Sequence, residues 1–286
     1  MTTQPCRDDS AQLSLSEQLR TATRQKHHAL NTLVIAHLPL CLPPHADRPL
    51  HYAKGMILYG QIYSAFEDFM KVQLACTRVD SRLDRMYQSM YLPQLLRKSR
   101  LQSDIEVLKS RLGRGEAEDL ESLAKLAEVF YRRVMSSLVA RPHVLLAYAW
   151  TMYLALFNGG RWIRGQLVSA GIEFWLGEAF PLSFWEFPDL VHANVEGEQL
   201  KDQFKIGFSG AASHLTDVER QDVVGETSRL FDLCSEMVEF LNRNWLNDHL
   251  KVYAVAKTVV DGLGSVRALL ETATSTVQKD RLGTPG

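Results

Sequence analysis

Val144–Ala170, VLLAYAWTMYLALFNGGRWIRGQLVSA, is the stretch that decides the fold. Fourteen nearly unbroken apolar residues lead into Asn158-Gly159-Gly160, and an amphipathic segment carrying Arg161 and Arg164 follows. A helix apolar on all sides belongs inside a soluble protein. About 14 residues cannot span a bilayer, which needs about 20. Each glycine inside a helix costs roughly 1 kcal/mol relative to alanine. In exchange the backbone can bend, and something flat can approach it closely. The local pattern alone also fits a plain helix-turn-helix junction.

The 286 residues are 46% hydrophobic, enough for one large core or two modest ones. No convincing alternating strand pattern occurs, and the prolines lie mainly outside the apolar-periodic segments. These features predict an all-α protein with one domain over residues 13–247. Residues 1–12 read as disordered, and 248–286 as a C-terminal helix with a frayed tail. A net charge of −1 gives no electrostatic case for nucleic acid or an anionic membrane. Cys6, Cys41, Cys76 and Cys234 lie far apart with no metal spacing, which suits reduced thiols in a cytoplasmic compartment. Neither a signal core nor a transmembrane run is present, so the expected protein is soluble. Charges at Lys251, Lys257, Asp261, Arg267 and Glu271 interrupt the apolar C-terminal segment, predicting packing against the body; peripheral membrane association is the alternative.

Ser14-Leu15-Ser16-Glu17 is a capping box that opens a helix running to about residue 33. Further helices are expected at about 49–75, 91–112, 117–140, 192–212, 216–245 and 248–277. On the first helix, Arg20, Thr23, Arg24, His27 and Asn31 recur at steps of three, four and seven and share one stripe. A helical histidine is usually structural or solvated. Here cations one and two turns away could hold the carboxylates of a ligand whose metal the imidazole binds. His28 points about 100° away. Lys201 and Lys205 are a second cationic pair, four residues apart.

Several segments carry a resemblance to the heme oxygenases. Leu19 to His27, LRTATRQKH, is similar to that family's first helix ending in the proximal histidine. Ile62–Glu67, Tyr91-Leu92-Pro93 with Leu96-Arg97, Leu101 and Asp104, then Pro142 to Gly160, and Phe184-Trp185-Glu186-Phe187-Pro188 follow in the family's order. The resemblance implies an all-α heme oxygenase-like domain with heme b between a proximal and a distal helix. It implies His27 as iron ligand and Arg20, Arg24, Lys201 and Lys205 as the cations that hold the propionates. Gly159 and Gly160 let the distal helix lie on the heme face. The implied activity is oxidative degradation of heme to biliverdin, CO and Fe2+, using O2 and electrons from an NADPH-dependent, cytochrome P450 reductase-type donor.

The chain also departs from the family. Leu156 stands where the distal helix carries an aspartate that anchors a proton-delivering water network. Asn158 can hold a water there but cannot relay a proton as a carboxylate does. Trp150 replaces a tyrosine, Met152 an arginine, and Asn31 often a carboxylate. These changes leave a non-catalytic heme-binding or sensing role, or peroxidase-like chemistry, as the alternative. A di-iron oxidase of the same fold is less well supported, because the chain has no Glu-x-x-His pair. His45, Asp47 and His51 form only a loop cluster among prolines. Between Arg78 and Arg114, nine basic residues face four acidic ones, a surplus that could dock an acidic reductase; the competing reading is a solvated helix surface.

Overall fold

The computed structural model describes residues 13–76, 80–187 and 197–245. The expected disordered N-terminus and C-terminal helix lie outside the described residues. Within them the chain is helical: α1 Leu15–His37, α2 Leu50–Ala75, α3 Ser81–Met90, α4 Lys98–Arg111, α5 Arg114–Ala140, α6 Leu145–Ala155, α7 Arg161–Ser169, α8 Glu198–Ala212 and α9 Asp217–Trp245. A single π-helical turn, Leu156–Gly160, joins α6 to α7. No strand occurs among the described residues, and no helix there is long and apolar enough to cross a membrane.

The long central helix is α2, and the apolar stretch at α6 is largely buried beside it, as expected. Residues on every side of α2 are buried, from Tyr52 and Leu58 to Phe66 and Met70. α5 packs along it most extensively, while α1 lies on α9 and α3 on α8. α6 is apolar but not closed all round: Thr151 is half-buried and Ala155 exposed. The α3–α8 crossing is close because Gly207 has no side chain. A Cβ there would come within 2.1 Å of the Ser89 carbonyl oxygen.

The helix expected at 91–112 begins later than expected, and α3 before it was not anticipated. α3 ends at Met90, Pro93 opens a 3-10 turn, and α4 begins at Lys98. The cause is tertiary. The Glu67 carboxylate on α2 accepts the backbone amides of Arg97 (2.8 Å) and Lys98 (2.9 Å), capping α4 from another helix. It also accepts the Tyr153 hydroxyl at 3.2 Å. Burial pushes the Glu67 pKa up to about 7. Arg97 is fully buried, its guanidinium 4.9 Å from the Phe187 ring centre, and burial pulls its pKa down to about 10.

That arrangement corrects the expected docking surface between Arg78 and Arg114. Arg97 cannot meet a partner protein. Arg82 forks onto Glu219, and Lys98 pairs with Asp68 at 2.7 Å. Arg100 donates to the carbonyls of Ser183 and Glu186, and Arg111 to those of Trp175 and Ala179. Arg78 lies outside the described residues. Most of the charge surplus therefore holds the fold together.

Candidate functional site

The capping box forms as expected: the Glu17 amide donates to Ser14 Oγ, and the Glu17 carboxylate accepts the Ser14 amide at 2.9 Å. Leu15, Leu19 and Thr23 turn inward, so Thr23 does not share the open stripe expected for it: its hydroxyl donates to the Leu19 carbonyl. That choice leaves Arg20, Arg24, His27, Asn31 and Ile35 exposed along one stripe. The His27 ring meets the edge of Phe231 on α9, with ring centres 5.9 Å apart. Neither Arg20 nor Arg24 has an ion-pair partner among the described residues. Two guanidinium groups one turn apart are thus uncommitted beside an accessible imidazole.

A second exposed stripe runs along α6, the π turn and α7. Ala155, Asn158, Gly159, Trp162 and Gln166 are exposed, while Leu156, Phe157 and Gly160 are buried. The two glycines do different jobs, which corrects the expectation that both lie on the ligand face. A Cβ on Gly159 would meet nothing within 4 Å, so its backbone faces open space. One on Gly160 would sit 3.3 Å from the Trp185 ring, so this glycine serves packing. Trp185 is held in turn by its indole N–H, which donates to the Tyr52 hydroxyl at 2.9 Å. Asp104 fixes the same connection by accepting the amides of Ser183 (3.1 Å) and Phe184 (2.8 Å). Leu156 is 2% exposed and points into the interior.

The four predicted cations divide. Arg20 on α1 and Lys205 on α8 line one cavity of about 150 Å³, with Trp150, Phe208, Ser16 and Ser209. Both lysines have an acid three residues earlier: Lys205 is 3.6 Å from Asp202 and Lys201 3.5 Å from Glu198, which also accepts from Arg161 at 2.7 Å. Burial alone would raise the Glu198 pKa, but the Arg161 hydrogen bond and the Lys201 charge outweigh it and hold the carboxyl below its ordinary value. Glu198 was not singled out from sequence, although its three-residue spacing from Lys201 marks the pair. The packing of Trp150 against Phe208 carried no such signal.

Heme b is a flat macrocycle with two carboxylate arms, and the residues present fit it. The backbone at Gly159 is bare, the His27 imidazole is accessible, and the Arg20 and Arg24 guanidinium groups have no ion-pair partner among the described residues. The cavity is smaller than the 300–1,000 Å³ of typical ligand pockets, so it has room for a carboxylate arm but not for a whole macrocycle. Among the described residues, no group of three His, Cys, Asp or Glu is placed to hold a metal ion, so the di-iron alternative finds no ligand set there.

The Heme oxygenase family model matches residues 13–240, and the chain belongs to that family. It is similar to the heme-binding protein HMX1 of Saccharomyces cerevisiae, 22% identical over 77% of this chain and 72% of the relative. It is also similar to a heme oxygenase of Rhodella violacea, 23% identical over 65% of this chain and 70% of the relative. Among solved structures, heme oxygenase-2 of Synechocystis, in complex with heme and NO, superposes with a TM-score of 0.62 at 20% identity. That match covers 87% of this chain and 91% of the other. Heme oxygenase 2 of Chlamydomonas reinhardtii, without heme, gives 0.62 at 18% identity over 79% and 97% of the two chains.

Proposed function

We propose that this protein binds heme b through His27 and degrades it oxidatively, as its family membership suggests. When bound, heme b supplies the iron that activates O2 and the ring that is opened; electrons come from an NADPH-dependent reductase. The observation that supports this reading is the presence of two exposed stripes. One presents His27 with the uncommitted Arg20 and Arg24, the other the bare backbone at Gly159. His27 Nε2 or Nδ1 offers the neutral lone pair a metal needs. Arg20 and Arg24 pair with carboxylates, and the Lys201 and Lys205 ammonium groups join them if they leave Glu198 and Asp202. The shallow helix surface at Gly159 lets a flat ring lie close. Asn158 hydrogen-bonds water on that face.

A second reading is supported by the composition of the distal stripe. None of Ala155, Asn158, Gly159, Trp162 and Gln166 is acidic, and Leu156 is buried. No carboxylate on that stripe can pass a proton at neutral pH, which favours heme binding without efficient ring opening, or peroxidase-like chemistry. Hemin titration followed by reductase-supported turnover separates these readings. A Soret band lost in His27→Ala supports the heme site. Stoichiometric biliverdin from the wild-type protein would defeat the second reading, and absence of a Soret shift would defeat both.

A further inference from the structure

The cavity between α1 and α8 has an aromatic floor. The Trp150 ring lies tilted against Phe208, with centres 4.4 Å apart and planes at 33°, and 6.5 Å from Phe204. Trp150 is 7% exposed, so its position is set by packing. The Arg20 guanidinium carbon stands 5.8 Å from the centre of the same ring. The nearest acid on α1, Glu17, is already engaged by the amide and hydroxyl of Ser14. Arg20 is thus an exposed cation that stands over an indole, with the Glu17 carboxylate as a weaker electrostatic neighbour. A cation over a tryptophan face is attracted by the ring quadrupole while its N–H groups stay free to bond elsewhere. Guanidinium suits this because it is planar and stacks.

We infer that Trp150 is a positioning residue for carboxylate recognition: it holds Arg20 over the cavity so that its donors meet a ligand carboxylate without reorganisation. The inference rests on the heme reading above and assigns a role to the indole that stands where the family carries a tyrosine. Holding the side chain in advance lowers the entropy lost on binding. An ion pair could not do so without competing for the same donors. Lys205 across the cavity, 3.6 Å from the exposed Asp202, is the second cation of the site.

The test compares the affinities of hemin and hemin dimethyl ester, measured by Soret titration of the full chain. The proteins are wild type, Trp150→Leu, Trp150→Phe, Arg20→Leu and the Trp150→Leu/Arg20→Leu double variant. The acid-to-ester affinity ratio is expected to fall by roughly three- to tenfold in each leucine single variant, and no further in the double variant. In Trp150→Phe, whose ring attracts a cation less strongly, the ratio should lie between. A merely structural role for Trp150 would weaken both ligands alike and leave the ratio unmoved. An unchanged ratio in Trp150→Leu, or additive losses in the double variant, overturns the proposal. If Trp150→Leu does not fold, an unchanged ratio in Trp150→Phe does so alone. A wild-type protein that binds neither ligand defeats the heme reading itself, and this inference with it.

Discussion

Glu198, in the first turn of α8, holds Arg161 at 2.7 Å, and Arg161 is the residue directly after Gly160. One carboxylate therefore ties the start of α7 to the helix that carries Lys201 and Lys205. The same carboxylate lies 3.5 Å from Lys201. It acts as an internal competitor for one of the cations a ligand carboxylate would use.

Replacing this competitor has a definite sign. Glu198→Gln should raise hemin affinity about two- to fivefold, the range expected for releasing a partly exposed ion pair worth about 0.5–1 kcal/mol. Soret titration at low and high salt checks it. The gain should shrink as salt screens the freed charge, and a loss of affinity would mean that Glu198 positions the cations rather than occupies them.

His27→Ala should separate binding from folding. The side chain is exposed and touches the edge of Phe231, so thermal stability should change by no more than about 0.5 kcal/mol. Hemin affinity should fall by about an order of magnitude or more, with the Soret maximum displaced. Added imidazole should restore part of the spectrum.

Two aspartate variants of the π turn should behave in opposite ways. Leu156 is 2% exposed, so Leu156→Asp places a carboxylate in an apolar interior and should cost about 2–4 kcal/mol. Asn158→Asp puts the same group on the open face with little loss of stability. It should raise the biliverdin formed per heme in reductase-supported turnover. Calorimetry and product absorbance read the two effects; equal melting temperatures would contradict the inward orientation of Leu156.

Stability should also depend on pH through Glu67. Burial raises its folded pKa from 4.5 to about 7, so the native state binds a proton that the unfolded chain releases first. Its contribution is complete below about pH 4.5 and is lost as pH climbs towards 7. Glu67→Gln should flatten the melting temperature across that interval. Glu219 has the opposite sign. Burial would raise its pKa, but the Arg82 fork and the Thr216 amide overrule that and bring it to about 2. Its stabilisation is therefore lost only as pH falls from 4.5 towards 2.

Local codes in the sequence carried much of this. The Ser14 capping box and the three-four-seven spacing of Arg20, Arg24, His27 and Asn31 fix the start and open face of α1 with no knowledge of its neighbours. What was missed depends on distant partners. α3 is short and polar, with only Met86, Tyr87 and Met90 buried. The start of α4 is set by Glu67, thirty residues earlier in the chain. The basic run around Arg97 resembles a surface in sequence, yet three-dimensional packing consumes most of its charge. The two adjacent glycines look equivalent in sequence and differ only because Trp185 presses on one of them.

The π turn at Leu156–Gly160 also has a dynamic consequence. A loop of five residues per hydrogen-bonded ring is a looser weave than the helices on either side. Its amides should exchange with deuterium sooner than those of α6 and α7. The seam should be the softest part of this rod, and it underlies the exposed face at Asn158 and Gly159. A molecule lying there would slow that exchange, so protection at five peptide groups becomes a reporter of occupancy that needs neither colour nor turnover.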